Sequence, residues 1–219
     1  MNLKGKKINF LGDSITEGLA VAEPSLRLVP MMKSVCELAE ARNYGEGGTR
    51  IARQIEMNDT PYDHDFNMRV EDMDTDCDIV VVFGGTNDFG HGQAPLGKTE
   101  DRTVYTFYGA LHTLITSLIK RFIHSEIVFI TPLHRHNDYS MQGTWKPEGV
   151  EQRPLCDYVD AIKEVCKYYS VPVLDLFSSG GLHGNMWEWC KEYMPDGLHP
   201  NERGNRIIVN RLKGFLEQL

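Results

Sequence analysis

The sequence predicts an α/β protein in which a largely parallel sheet is covered on both faces by helices. Four short apolar runs rich in β-branched residues support this prediction, and helical patterns separate them along the chain. The runs are residues 8–11, 79–83, 127–130 and 171–174. They do not alternate with polar residues, which is typical of strands buried on both faces. Because right-handed crossovers join such strands, we expect a three-layer α/β/α sandwich.

Apolar residues at helical spacing predict three long helices after the second, third and fourth runs. Their stripes are Phe107, Leu111, Leu114, Ile115, Leu118, Ile119 and Phe122; Tyr158, Ile162, Val165, Cys166 and Tyr169; and Ile208, Leu212, Phe215, Leu216 and Leu219. A further helix is predicted over residues 30–42, with Pro30 in its first turn. Residues 60–76 and 134–154 are predicted to be long loops, and loops at the carboxyl ends of parallel strands are where such folds bind ligands.

Composition indicates a single domain spanning residues 1–219. Hydrophobic residues make up 41% of the chain, which suits one core in a chain below roughly 250 residues. The net charge of −8 would repel a nucleic-acid backbone, so nucleic acid is not an expected partner. No apolar run reaches the roughly 18 residues of a membrane helix, and no signal peptide is recognisable. We therefore expect a soluble cytoplasmic protein without a membrane span. The five scattered cysteines indicate neither a disulfide framework nor a zinc site.

Four polar or glycine-rich segments lie where predicted strands end or where the last helix begins. They are residues 12–18, 43–49, 84–90 and 195–201. Taken singly, each has an ordinary interpretation: a helix cap at Ser14 or Asn87, a turn at the glycines, and a solvated loop at His199.

Taken together, the segments contain the groups that nucleophilic catalysis needs. Asp196 lies three residues before His199, so a turn can bring the carboxylate to the imidazole and leave Nε2 free to take a proton from Ser14. The glycine-rich segment around Gly48 offers backbone N–H groups, and Asn87 offers a side-chain amide, for a developing oxyanion.

These blocks, in this order, resemble the SGNH hydrolases, also called the GDSL esterase/lipase family. The blocks are Gly-Asp-Ser at 12–14, Gly48 after Asn-Tyr-Gly at 43–45, Gly-Thr-Asn-Asp at 85–88 and Asp-Gly-Leu-His-Pro at 196–200. The resemblance covers almost the whole chain and implies a flavodoxin-like sandwich with a mostly parallel, five-stranded sheet. Glu46 departs from the family, which often has an apolar residue before the oxyanion glycine, and the 134–154 segment is not a general family feature.

The resemblance also implies a serine esterase that needs neither a metal ion nor an organic cofactor. In that scheme Ser14 is the nucleophile, His199 the base, and Asp196 the third member of the triad. The oxyanion hole is formed by the backbone N–H groups of Ser14 and Gly48 and by the side-chain amide of Asn87. The expected partner is a small ester, whose acyl group is transferred to the serine and then released by water.

The substrate is less sharply indicated than the reaction. Aromatic faces suit sugar rings, so Trp145 and Trp187, together with Asp13, are candidate substrate-binding residues for short acyl (acetyl) groups on a carbohydrate. Core packing is the alternative for Trp187. Alternative functions are a lysophospholipase or thioesterase for longer acyl chains, a non-catalytic carbohydrate-binding protein on the same fold, and a flavin- or nucleotide-binding flavodoxin-like protein. A homo-oligomer is left open.

Two histidine-containing segments are weak candidates for metal sites. They are residues 134–138, with two histidines and an aspartate, and residues 63–65, with one histidine between two aspartates. In neither segment is a third ligand clearly paired with the others. A solvated or substrate-facing loop is therefore the favoured interpretation of residues 134–138, and a solvated loop that of residues 63–65.

Overall fold

Five parallel strands form the centre of the computed structural model, which describes residues 1–56, 60–139 and 152–219. The strands are β1 (Lys7–Gly12), β2 (Glu40–Gly45), β3 (Ile79–Phe83), β4 (Glu126–Ile130) and β5 (Val173–Leu174), in the order β2-β1-β3-β4-β5. In the register of the central strands, Val81 is opposite Phe10 on one side and Val128 on the other. All four strand pairs are parallel.

Helices cover both faces of this sheet, which confirms the predicted three-layer fold class. In chain order they are α1 (Ser14–Glu17), α2 (Leu28–Val35), α3 (Phe66–Arg69), α4 (Thr86–His91), α5 (Phe107–Arg121), α6 (Leu155–Tyr168), α7 (Leu176–Ser179), α8 (Trp187–Tyr193) and α9 (Glu202–Gln218). One core cluster joins the sheet to α3, α5 and α6, and the other joins it to α2 and α9.

Strand β3 shows why a continuous apolar run predicts a two-faced sheet. Val80 and Val82 belong to the core under α5 and α6, whereas Ile79, Val81 and Phe83 belong to the core under α2 and α9. All five are buried. Side chains alternate between faces along a strand, so burial on both faces requires apolar residues at every position.

The three predicted amphipathic helices are confirmed as α5, α6 and α9. Each buries most of the stripe that its spacing predicted, as at Leu111 of α5, Ile162 of α6 and Ile208 of α9. The exception is Leu219, which lies beyond the end of α9 and is 45% exposed. The buried residues of these stripes belong to the two core clusters that join the helices to the sheet.

The predicted helix over residues 30–42 is wrong at its C-terminal end. Helix α2 ends at Val35, and Glu40–Gly45 forms strand β2. This strand lies at the edge of the sheet and pairs with β1 alone among the described strands. Its side chains are half-buried or exposed. An edge strand of this kind needs no continuous apolar run, so the pattern that marks the central strands is missing. Pro30 does lie in the first turn of α2, as predicted.

The predicted loop over residues 60–76 contains helix α3 and is more buried than expected. Asp65 caps α3 by accepting the Met68 N–H (3.0 Å) and pairs with the Arg53 guanidinium (2.7 Å). Asp63 is also buried and pairs with Arg50. The solvated-loop interpretation of residues 63–65 is therefore wrong for both aspartates, whose charges are compensated by buried or half-buried arginines.

Two general expectations are also addressed by the structure. The five cysteines are unpaired. None of the described helices combines the length and the apolar character that crossing a bilayer requires.

Candidate active site

Ser14 lies where β1 gives way to α1, at the carboxyl edge of the sheet. Asp13 occupies the N-cap position of α1, and its carboxylate accepts the Ile15 N–H (3.0 Å). Ser14 is the first residue of the helix rather than its cap, so its hydroxyl is free for another partner. The turn requires glycine at position 12, because an added Cβ would lie 2.0 Å from the Thr16 hydroxyl oxygen.

The Ser14 hydroxyl contacts the imidazole of His199. The distance from Ser14 Oγ to His199 Nε2 is 2.9 Å, and His199 Nδ1 lies 2.6 Å from Asp196 Oδ2. A carboxylate facing Nδ1 favours the tautomer that carries its proton there, which leaves the Nε2 lone pair toward the hydroxyl. The three predicted residues therefore form one hydrogen-bonded line, although Ser14 and His199 are 185 positions apart in the sequence.

The Asp196 carboxylate is held by the backbone of its own turn. Its Oδ1 accepts the N–H groups of Leu198 (2.9 Å) and His199 (2.7 Å), which leaves Oδ2 for the imidazole. Burial raises the pKa of Asp196, but the hydrogen bonds from the His199 ring and from these backbone groups outweigh burial and hold the pKa below its ordinary value. The carboxylate is therefore ionised where it faces His199.

Gly48 and Asn87 lie on the same cavity as Ser14 and His199. Gly48 has a φ of +76°, and an added Cβ would lie 2.3 Å from the Tyr62 ring, so the backbone requires glycine here. Asn87 Nδ2 donates to the Thr49 carbonyl (3.0 Å), which leaves its second N–H. Within the described part of the chain, the backbone N–H groups of Ser14 and Gly48 donate to no acceptor.

Asp88 has a structural task that its motif did not reveal. Its two carboxylate oxygens accept the backbone N–H groups of Ile51 (3.0 Å) and Ala52 (2.9 Å). Helix α4 itself has Gly85 at its N-cap position, so the ordinary interpretation of Asn87 as the cap is wrong. Asp88 therefore fixes the segment that follows Gly48 against the helix that carries Asn87.

The cavity beside these residues has a volume of about 840 Å³. Four carboxylate side chains and two arginines line it: Glu17, Glu46, Glu56, Asp63, Arg50 and Arg135. Arg50 donates to the Tyr62 carbonyl (2.8 Å) and pairs with Asp63, and Arg135 donates to the Thr86 carbonyl (3.1 Å). Both guanidinium groups therefore already have hydrogen-bond or ion-pair partners within the protein. The cavity lining contains more carboxylates than guanidinium groups.

The three candidate substrate-binding residues are placed differently. Asp13 is 1% exposed, and its carboxylate caps α1 without lining the cavity. Trp187 is 73% exposed on α8, so core packing is the wrong interpretation; it does not line the described cavity either. Trp145 lies outside the described residues. The structure brings together the other five predicted residues, which are those of the triad and the oxyanion hole.

The histidines near residue 134 form a stacked cluster rather than a ligand set. The His134 ring stacks on Phe177 (3.7 Å between centroids) and on His183 (3.9 Å), and its Nδ1 lies 2.6 Å from Asp138. Among residues 1–56, 60–139 and 152–219, no three His, Cys, Asp or Glu side chains are arranged to hold a metal ion. The neighbouring His136 N–H donates to the carbonyl of Gly197 (2.7 Å), which connects this segment to the Asp196–His199 turn.

Burial raises the pKa of Asp13 from 3.8 to about 6, against the hydrogen bond from Ile15 and the charges of His199 and Arg69. Since the folded chain then binds more protons than the unfolded chain between pH 3.8 and about 6, this group lowers stability as pH rises through that window. Asp13→Asn does not titrate, and its amide oxygen can keep the bond to Ile15. We expect it to stabilise the protein at pH 7 by up to about 3 kcal/mol.

Urea unfolding of Asp13→Asn and the unmodified chain between pH 4 and 7.5 measures this effect. The difference in unfolding free energy should grow between pH 4 and 6 and stay constant above pH 7. A difference that does not vary with pH would show that the Asp13 carboxyl is not perturbed by burial.

Comparisons with known proteins identify the family of the chain. Residues 10–207 match the model of the GDSL-like lipase/acylhydrolase family. A GDSL esterase/lipase of Arabidopsis thaliana is 24% identical over 137 residues, which are 61% of this chain and 52% of that protein. The match thus spans about half the length of that curated relative.

Solved structures resemble the chain over nearly its whole length. A protein from Lactobacillus plantarum is 29% identical with a TM-score of 0.83, and the match covers 98% of both chains. A lipase/acylhydrolase from Enterococcus faecalis is 23% identical with a TM-score of 0.61, covering 95% of this chain and 96% of that one; this likeness concerns the fold. Since the family match includes all four sequence blocks, the chain belongs to the GDSL-like lipase/acylhydrolase family.

Proposed function

We propose that this chain is a serine esterase that hydrolyses carboxylic esters through an acyl-enzyme. The observation that carries the proposal is the line of contacts from Ser14 Oγ to His199 Nε2 (2.9 Å) and from His199 Nδ1 to Asp196 (2.6 Å), at the wall of a large cavity. A hydroxyl, an oriented imidazole and an ionised carboxylate in this order are the components of a catalytic triad.

In the proposed reaction, His199 acts first as base and then as acid. Its Nε2 takes the Ser14 proton while Oγ attacks the carbonyl carbon of the ester. The protonated imidazole then gives that proton to the leaving alcohol oxygen, and the acyl group stays on Ser14. Water, deprotonated by the same imidazole, attacks the acyl carbon, and the imidazolium returns the proton to Ser14 Oγ as the acid leaves. Throughout, Asp196 holds the ring in place and stabilises its charged form.

The tetrahedral oxyanion would be bound by the N–H groups of Ser14 and Gly48 and by the second N–H of Asn87. These donors belong to residues that line a common cavity, and the two backbone groups have no acceptor in the described part of the chain. Fixed donors that meet the charge only as it develops lower the barrier, and one such donor is worth about 10²- to 10³-fold in kcat.

The cavity favours a hydroxylated substrate over a lipid. Its volume of about 840 Å³ far exceeds what an acetyl group occupies, so the remaining space is available to the alcohol part of the ester. Leu19 and Leu198 are its only aliphatic side chains among the described lining residues. A long alkyl chain would bury carboxylates and amides without hydrogen bonds, which is costly. We therefore propose short acyl groups on a carbohydrate-like alcohol as the substrate class.

A series of p-nitrophenyl esters and a peracetylated sugar test this proposal. We expect the highest kcat/KM at acyl chains of about two to four carbons, and turnover of the sugar acetate. A maximum at about eight or more carbons would instead support a lysophospholipase or thioesterase. Binding of the sugar without turnover of any ester would support a non-catalytic carbohydrate-binding protein.

A further inference from the structure

A buried arginine outside the four sequence blocks connects the segments that carry the proposed catalytic groups. Arg69 is the last residue of α3 and is 8% exposed. Its Nη1 donates to the Tyr44 carbonyl (2.6 Å), and its Nη2 donates to the Gly12 carbonyl (3.1 Å) and to the Thr49 hydroxyl (2.8 Å). One guanidinium therefore contacts the carboxyl ends of β1 and β2 and the residue that follows Gly48.

The Thr49 hydroxyl links Arg69 to the turn around Gly48 by hydrogen bonds. It accepts from Arg69 and donates to the Glu46 carbonyl (2.7 Å), which also accepts the Thr49 N–H (3.3 Å). The turn is thus closed by two bonds across Gly48. The Thr49 carbonyl in turn accepts from Asn87 Nδ2 (3.0 Å). Two of the three proposed oxyanion donors are consequently held through Thr49.

From these contacts we propose that Arg69 is a positioning residue that sets the geometry of the oxyanion donors. The proposal rests on the esterase function proposed above. Arg69 does not line the cavity that Ser14 and His199 share, so it acts through other groups and does not touch the substrate. Its effect should therefore fall on the transition state, where the donors meet the oxyanion, and not on binding of the ester.

The chemistry of the guanidinium explains why an arginine occupies this position. Its planar fork can donate to several acceptors in fixed directions, whereas a lysine ammonium is a point charge on a flexible stem. The group also lies 4.8 Å above the Phe66 ring and 3.7 Å from the Glu46 carboxylate. Burial lowers the pKa of Arg69, while the Glu46 and Asp13 carboxylates act against that loss of charge. The cation is therefore held by two backbone carbonyls and one hydroxyl, with the Glu46 carboxylate nearby.

Steady-state kinetics on p-nitrophenyl acetate test the proposal with Arg69→Lys, Arg69→Met and Thr49→Val. We expect kcat to fall about 10- to 100-fold in both Arg69 variants, because small misplacements of catalytic groups have effects of this size. KM should stay within about twofold, since ground-state binding is not involved. Thr49→Val keeps the shape of the side chain but removes the hydroxyl, and kcat should fall about 5- to 20-fold.

The double variant separates positioning from general loosening of the fold. Since Arg69 acts through Thr49, adding Thr49→Val to Arg69→Met should lower kcat by less than about twofold more. Arg121→Met is the matched control, because Arg121 also donates to two backbone carbonyls, those of Glu71 and Met73, without lining the cavity. It should lower the melting temperature and leave kcat unchanged.

The outcomes distinguish failure of the Arg69 proposal from failure of the proposed esterase function. A kcat within about twofold of the unmodified chain in both Arg69→Lys and Thr49→Val would overturn the role of Arg69, even if Arg69→Met does not fold. An equal fall in kcat for Arg121→Met and Arg69→Met would overturn it as well. Absence of ester turnover in the unmodified chain would overturn the proposed function instead.

Discussion

Ser14→Ala is expected to lower kcat for ester hydrolysis by about 10⁴- to 10⁶-fold. The substitution removes the atom to which the acyl group would be attached, and no other hydroxyl among the described residues lies within hydrogen-bonding distance of His199 Nε2. Water attacking directly would still meet the oxyanion donors, so a residual rate above the uncatalysed reaction is expected. KM should change little, because the hydroxyl contributes to bond formation rather than to binding.

Stability and labelling distinguish loss of the nucleophile from loss of the fold. Among the described residues Ser14 Oγ has a hydrogen-bond contact with His199 alone, so the free energy of unfolding should change by no more than about 1 kcal/mol. A fluorophosphonate should add its mass to the unmodified chain and not to Ser14→Ala. Ser34→Ala is the control, since Ser34 lies exposed on the outer helix α2. Labelling or full turnover in Ser14→Ala would place the nucleophile elsewhere.

The parts of the fold that could be predicted from sequence are those that a buried sheet imposes directly. Strand β3 is buried on both faces, so all five of its residues must be apolar, and its bounds agree with the predicted run. Strand β2, with the sequence Glu-Ala-Arg-Asn-Tyr-Gly, lies at the edge of the sheet. It pairs with β1 on one side, and its side chains are half-buried or exposed to solvent. Its pairing is decided by the strand beside it, which no local pattern reveals.

The candidate site likewise contains residues that could be predicted from the sequence and one, Arg69, that could not. That Ser14, Gly48, Asn87 and His199 lie together could be predicted because their four blocks, in that order, resemble a known family, and all four line one cavity. Arg69 could not, because an isolated arginine in a polar segment is usually a solvated side chain. Its importance arises from tertiary contacts.

Asp196→Asn is expected to lower kcat by about 10⁴-fold while leaving KM nearly unchanged. Asp196 Oδ1 already accepts two backbone N–H groups, from Leu198 and His199. An asparagine would keep its carbonyl oxygen in that position, because its NH₂ group cannot accept those bonds. The NH₂ group would then face His199 Nδ1 and donate to it. This arrangement places the imidazole proton on Nε2, where it points at the Ser14 hydroxyl and cannot receive the hydroxyl proton.

The substitution therefore tests the tautomer more than the charge, since shape and turn geometry are preserved. Rates of p-nitrophenyl acetate hydrolysis and of fluorophosphonate labelling should fall together, because both need the deprotonated hydroxyl. Asp160→Asn is the matched control: it removes one carboxylate from an exposed position on α6 and should leave both rates unchanged. Asp196 is half exposed, so the fold should tolerate the change. If Asp196→Asn kept more than about a tenth of the unmodified kcat, the base would not depend on this carboxylate, and another group would have to orient His199.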